Sequence, residues 1–254
     1  MAADGDARTV QAVHKAVAIL ELLQERNGMG ITELASELKL SKATIHHHLS
    51  TLLEHELVVK NGTEYRLSLR HLDFGETVKS RLGYYEVVRR EVDDIAAETG
   101  ELAQFATEEH GRAVYLYKAQ GEKAVQTAST IGKREYMHCI SLGKAILAHL
   151  PEERVDEIVD THGLEGFTDN TITSRAELHE NLADVRERGY AIDDEEKIGG
   201  LRCVSAPVLS DSDVLGAVSI SGPSSRMRGD RFETGLPEVV QRSANVIEIN
   251  AKFT

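Results

Sequence analysis

Between Ser41 and Ser50 the chain reads SKATIHHHLS, which gathers the hydroxyls of Ser41, Thr44 and Ser50, the ammonium of Lys42 and the imidazoles of His46 and His47, with no acid among them. Hydroxyls, an ammonium and helix N-terminal amides are groups that hold phosphate oxygens. An imidazole can read a base edge through one donor or acceptor. In a chain of formal charge −13, such an acid-free stretch suits a face that meets an anionic duplex. Three consecutive histidines also invite a metal reading. Neighbouring helical residues point about 100° apart and cannot converge on one ion, so no metal is expected.

The second chemical set is built on thiols. Cys203 lies in GGLRCVSAPV, ten residues after Asp193, but no nucleophile-elbow spacing surrounds it, and a small buried thiol is the simpler reading. Cys139 follows His138; on a strand the two would point to opposite faces, so a Cys/His dyad is not expected. Two cysteines are too few for a disulfide framework and lack zinc-ligand spacing. Asp193-Asp194-Glu195-Glu196 reads as a solvated acidic loop as readily as a site. No catalytic residue and no cofactor are expected.

Local elements must position the first set. Ile31, Leu34, Ala35 and Leu38 follow helical spacing, ending near Lys39, and Ser41 is a good N-cap for a second helix striped by Ile45, Leu49, Leu52 and Leu53. The side chains farthest from that stripe are Ala43, His47 and Ser50, flanked by Lys42 and His46, while His48 falls at its edge and reads as structural. Leu57–Lys60 and Tyr65–Leu69 are β-prone runs around Asn61-Gly62, a hairpin signal, with Tyr65-Arg66 offering a ring beside a guanidinium. Helix, turn, helix and hairpin spell a winged helix-turn-helix; the plainer alternative is a small helical bundle without a nucleic-acid role.

An earlier helix over Val10–Leu23 carries Val13, Ala16, Val17, Leu20 and Leu23, for core or subunit contact. Leu72–Val88 continues helically through Phe74, Val78, Leu82 and Tyr85 as a linker that Gly83 bends, and a helix to Thr99 stops at Gly100. Strands are predicted at 102–107, 113–119, 124–128, 204–209 and 214–221. Helices are predicted at 142–150, 151–161, 176–188, where Ser174 and Glu177 fit a capping box, and 236–251. Blocks of this kind give an α+β domain with an antiparallel sheet.

At 254 residues the chain has room for two domains. Residues 1–79 hold nine Lys+Arg against eleven Asp+Glu, which leaves 20 against 31 for the remainder, so the acid excess sits mainly in the second part. Arg outnumbers Lys by 18 to 11, and with the acid excess this predicts a protein suited to high salt, where screening to about 3 Å leaves specificity to close contacts. No apolar run reaches membrane-span length and MAADGDARTV lacks the parts of a signal peptide, so a cytoplasmic location is expected.

From end to end the chain resembles the IclR family of transcriptional regulators. The motifs are AVHKAVAILELL, ITELASELKLSKATIHHHLSTLLEHELV and YRLSLRHLDFG, then MHCISLGKAILAHLP, GFTDNTIT, RERGYAIDDEE, GLRCVSAPV and GAVSISGPSSR. The resemblance implies a winged helix-turn-helix over 1–70, a linker helix over 71–84 and a GAF-like effector-binding domain over 85–254. It implies a homodimer or homotetramer on promoter DNA, and a metabolite effector such as a keto, aromatic or sugar acid. Joined to the acidic composition, it suggests a halophilic archaeal member. The DNA-binding set expected is Thr32, Ser41, Lys42, Ala43, Thr44, His46, His47, Ser50, Tyr65 and Arg66. The effector set carried over is Met137, Ser141, Leu142, Asp193, Leu201, Cys203, Ser219 and Ser221. One departure is that His46-His47 stand where the family has His-Arg, which removes a bidentate fork for guanine. The rival readings are a small-molecule hydrolase or thiol enzyme using Cys203, and a constitutive architectural protein.

Overall fold

What lies beneath the histidines sets the face that carries them. The computed structural model describes residues 9–126, 129–211 and 213–253, and the chain divides into two units between Leu82 and Gly83. In the first, α1 (Gln11–Arg26), α2 (Ile31–Glu37) and α3 (Lys42–Glu54) close over Ile19, Leu23, Leu34, Ala35, Ile45, Leu49 and Leu52. Each large side chain removed from water here contributes roughly 1.5–3 kcal/mol before entropy is charged. Ser41 caps α3, its Oγ accepting from Thr44 N at 3.0 Å. Glu33 caps α2, accepting from Gly30 N at 2.8 Å.

The hairpin forms with its turn one residue later than expected. β2 (Val58–Asn61) and β3 (Glu64–Leu67) pair Asn61 with Glu64, so the turn is Gly62-Thr63, and Gly62 takes φ 61°. A short strand unforeseen in the sequence, β1 (Met29–Gly30), pairs on the other side of β3. α4 (Arg70–Ser80) follows the wing and buries none of its residues. The helix expected to continue over 72–88 is interrupted at 81–84 before α5 (Tyr85–Thr99).

In the second unit, β4 (Leu102–Glu109), β5 (Arg112–Gln120), β6 (Arg134–Glu135), β7 (Ala191–Asp194), β8 (Leu201–Leu209) and β9 (Val214–Pro223) form one antiparallel sheet in the order β6-β5-β4-β9-β8-β7. α5 and α9 (Leu236–Ala251) cover one face through Val88, Val92, Phe105, Val218, Ile220 and Val240. α6 (Ser141–Leu147), α7 (Glu152–His162) and α8 (Arg175–Arg188) build the other core with Ala106, Ala113, Ile146, Ile158 and Leu182. Alternation on β9 sends Val218 and Ile220 to the first face and leaves Ala217, Ser219 and Ser221 for the second.

Three expectations fail here. Of the strand expected at 124–128, residues 124–126 are not strand and 127–128 lie outside the described residues. Ser174 makes no capping bond, so the Ser174/Glu177 box does not form. His138 and Cys139 sit in a turn before α6 rather than on a strand.

Candidate functional site: nucleic-acid face and ligand cavity

Ile45, Leu49 and Leu52 anchor α3 from below, which turns Lys42, Ala43, His46, His47 and Ser50 outward, all exposed; Thr44 and His48 are half-buried at the edges. Ser50 Oγ donates to His46 O at 2.9 Å and Thr51 Oγ1 to His47 O at 3.2 Å, which ties both hydroxyls to the helix's own backbone. His46 and His47 rings meet edge to face at 6.3 Å. Thr32 is exposed at the start of α2. Arg66 is half-exposed on the wing and pairs with Glu64 at 3.0 Å, a surface bond that a phosphate could replace. Tyr65 is a correction: it is 3% exposed, packed in the core, because period-two alternation on β3 turns Glu64 and Arg66 to solvent and the ring inward. The wing therefore offers no stacking ring at Tyr65.

A cavity of about 110 Å³ opens on the α6 face of the large sheet. Two rows of paired residues floor it. Asp193, Cys203 and Ser221 lie side by side across β7, β8 and β9, and Ser219 and Gln104 across β9 and β4; Ser205, opposite Ser219 on β8, is bonded to Ser141 Oγ at 2.6 Å and does not line the cavity. Ser141 and Leu142 from α6, with Ile198 and Leu201, wall it, and Lys133, Glu135 and Lys197 line it on another side. Ser141, Leu142, Asp193, Leu201, Cys203, Ser219 and Ser221 thus come together as lining residues. Met137 does not line the cavity: it is buried in the α6–α8 core, beside Leu147, Ile158 and Leu178.

Asp193 is 2% exposed rather than part of a solvated loop. Burial, and then the neighbouring Glu196 carboxylate, push its carboxyl up to about 7, against the pull of the Glu196 N–H at 2.8 Å. Lys144, wholly buried on α6, donates to Glu196 Oε1. Burial raises the Glu196 carboxyl, and Lys144 opposes that rise. The strap 167–171 holds the turn that carries these acids, with Thr168 Oγ1 donating to Glu195 O at 2.8 Å and Thr171 Oγ1 to Glu196 O at 2.6 Å.

Gln104, Tyr115, Ser129, Lys133, Glu135, Ile140, Lys197 and Ile198 were not foreseen. Gln104 had a signal, a lone amide at an alternate position of an apolar strand. The thiols are poor nucleophiles: burial pushes Cys139 up to about 12 and Cys203 well above its usual range. His138 gives a ring nitrogen to the Glu165 carbonyl at 2.9 Å, and Cys139 points its thiol at Tyr136 O.

An outward helix face that carries no acid from Lys42 to Ser50, on a winged helix-turn-helix, followed by a sheet unit with a cavity lined by apolar and polar side chains, defines a DNA-binding transcriptional regulator that answers to a small ligand. The family description "IclR helix-turn-helix domain" matches residues 12–62, and "Bacterial transcriptional regulator IclR C-terminal" matches 77–249. The chain belongs to the IclR family.

It is 35% identical, over 97% of its length and 95% of the relative's, to a probable HTH-type transcriptional regulator ArcR of Halobacterium salinarum. The crystal structure of the Thermotoga maritima IclR superposes with a TM-score of 0.78 at 26% identity, covering 94% of this chain and 98% of that one. An IclR homologue from Microbacterium hydrocarbonoxydans complexed with 4-hydroxybenzoate gives 0.83 over 96% and 100%, and at 19% identity shows the fold alone. These relatives are regulators, and nothing supports the thiol-hydrolase alternative. Among the described residues no helix is long and apolar enough to cross a membrane.

Proposed function

We propose that this chain controls a metabolic operon from the cytoplasm by placing α3 of two copies in successive major grooves of a pseudo-palindromic promoter site. Residues 1–70 serve as the DNA-binding domain, 71–84 as linker and 85–254 as effector domain, a division supported by the break between Leu82 and Gly83. Thr32, Ser41, Lys42, Ala43, Thr44 and Arg66 meet the backbone, and His46, His47 and Ser50 face base edges. The effector, a keto, aromatic or sugar acid, is held by Ser141, Leu142, Asp193, Leu201, Cys203, Ser219 and Ser221. The neighbour that binds 4-hydroxybenzoate, an aromatic acid, supports that class. Dimer or tetramer assembly is supported by uncovered apolar stripes on α1 and α4, and work in molar salt by the acid excess and the Halobacterium relative.

The observation that carries this reading is the outward set Lys42, His46 and His47 on α3. Gel retardation of the chain's own upstream promoter fragment in molar KCl tests it, with and without cell extract. Retardation that the extract alters is the expected result; none under either condition refutes the reading.

A further inference from the structure

Four charged side chains line the cavity among the described residues: Lys133, Glu135, Asp193 and Lys197. Glu135 takes both ammoniums, at 2.7 and 3.0 Å, and although burial pushes its carboxyl up, those two bonds hold it below the usual range. One surplus positive charge remains on that side, and Asp193 cancels it only when ionised. Lys144, the buried cation behind Asp193, is engaged by Glu196. An anion entering beside an ionised Asp193 therefore sets two carboxylates together in a closed space. Beside a protonated Asp193 it meets a donor, and the surplus positive charge balances it.

Ser219 marks the same spot independently. It is 1% exposed, lines the cavity, and its hydroxyl has no hydrogen-bond partner among the described residues. Buried hydroxyls are seldom left so, and an acceptor on a ligand would satisfy it. A cationic ligand would have to face Lys133 and Lys197, and a neutral polyol, already balanced beside an ionised Asp193, would bind without taking up a proton, which separates it from an acid.

Resting on the ligand-responsive reading above, we infer that the effector is a small monoanionic carboxylic acid that binds together with one proton from solvent. The proton resides on Asp193, and the ligand carboxylate accepts from Asp193 and from the Ser219 hydroxyl. The groups facing Asp193 are Glu196 and Lys197 on its own turn, Lys144 on α6, Cys203 on β8, Tyr115 on β5, Glu135 on β6 and Cys139 before α6. Burial raises Tyr115, Cys139 and Cys203, so all three stay neutral through the neutral range. Lys133 and Lys197 hold Glu135 below the usual carboxylate range, and Lys144 opposes the rise that burial imposes on Glu196; Asp193, near 7, is the cavity-lining group that titrates in the neutral range.

The test is titration calorimetry of the full chain with glycolate, lactate, 3-hydroxybutyrate and benzoate, each beside its amide, from pH 6 to 9 in buffers of differing ionisation enthalpy. Expected is binding of at least one acid over its amide, with Kd about tenfold weaker at pH 8 than at pH 6 and about tenfold weaker again at pH 9. Proton uptake should rise toward one per site over that range. Asp193→Asn, which keeps a donor but cannot ionise, should bind that acid with no pH slope. A flat pH profile in the unsubstituted chain, preference for amides, or silence from every acid overturns the inference. The promoter assay with cell extract decides the ligand-responsive reading separately, since it does not depend on which acid is chosen.

Discussion

Lys144 keeps its ammonium out of water and gives it to Glu196, whose second oxygen Oε2 is buried without a partner among the described residues. Removing one member of such a pair strands the other. Lys144→Met should cost about 3–5 kcal/mol in denaturant unfolding, and Lys144→Met with Glu196→Leu should recover most of it. Asp193 acts in the opposite sense to a salt-bridged acid. Its carboxyl lies near 7 in the folded chain against 3.8 as the ordinary value, so the native state holds a proton that the unfolded state releases. Stability from this group is therefore full below about pH 4 and lost as pH rises through 7, on the order of 4 kcal/mol at most. Asp193→Asn should raise the melting temperature at pH 8 and much less at pH 5. On α3, His47→Ala should relax base preference, whereas Lys42→Ala should weaken specific and random duplex alike and flatten the salt slope by about one. Equal losses from both would refute these roles. At this scale the outward face of α3 was legible because its apolar stripe is regular. Tyr65 is buried because Glu64, Tyr65, Arg66 and Leu67 alternate across β3, a pattern the sequence carries as plainly as the ring-and-guanidinium pairing that suggests a wing contact.

Helices with continuous apolar stripes, such as α3, α5 and α9, were readable to within about two residues. Short elements were not: β1 and β6 have two residues each, too few for any period, and exist only because a partner strand is there. The cavity depends on a similar non-local event. β4 and β5 slip register between Phe105 and Ala106, so Lys118 opposite Gln104 and Tyr115 opposite Ala106 both face α6 although their numbers differ in parity. No pattern within β5 announces that bulge, which is why Tyr115 and the partners of Gln104 could not be foreseen. The strap 167–171 is another device of this kind. Thr171 Oγ1 accepts from Phe167 N and Thr168 N at 3.0 and 2.9 Å and donates to Glu196 O, joining the strap to the acidic turn with one hydroxyl. Thr171→Val should lose about 1–3 kcal/mol and weaken ligand response without altering DNA affinity in ligand-free conditions. Parallel melting and retardation measurements would show it, and an unchanged ligand response would remove the strap from the switch.

A ligand bound in the second unit alters promoter occupancy only through its differential affinity for two states of the protein. About 1–3 kcal/mol of coupling gives roughly a 5- to 150-fold change, so the cavity needs only a few good hydrogen bonds that differ between those states. The pseudo-palindromic site proposed above would need two copies, and the first unit leaves apolar side chains in water that would suit a contact between them. Val10, Val13 and Val17 on and before α1, and Leu72, Phe74 and Val78 on α4, leave large apolar side chains in water while Ile19 and Leu23 turn inward. Helical period explains the split on α1: the stripe read as one face is two, one for the core and one left over. In molar salt, where charge is screened to about 3 Å, such apolar faces keep their strength while diffuse charge attraction does not. Val13→Asp with Val17→Asp, or Phe74→Asp with Val78→Asp, should therefore yield monomers by light scattering and lower promoter affinity at least tenfold, while acid binding to the second unit persists. Dimers that survive both pairs of substitutions would place the assembly contact elsewhere, and the half-site geometry would then have to be set by the second unit.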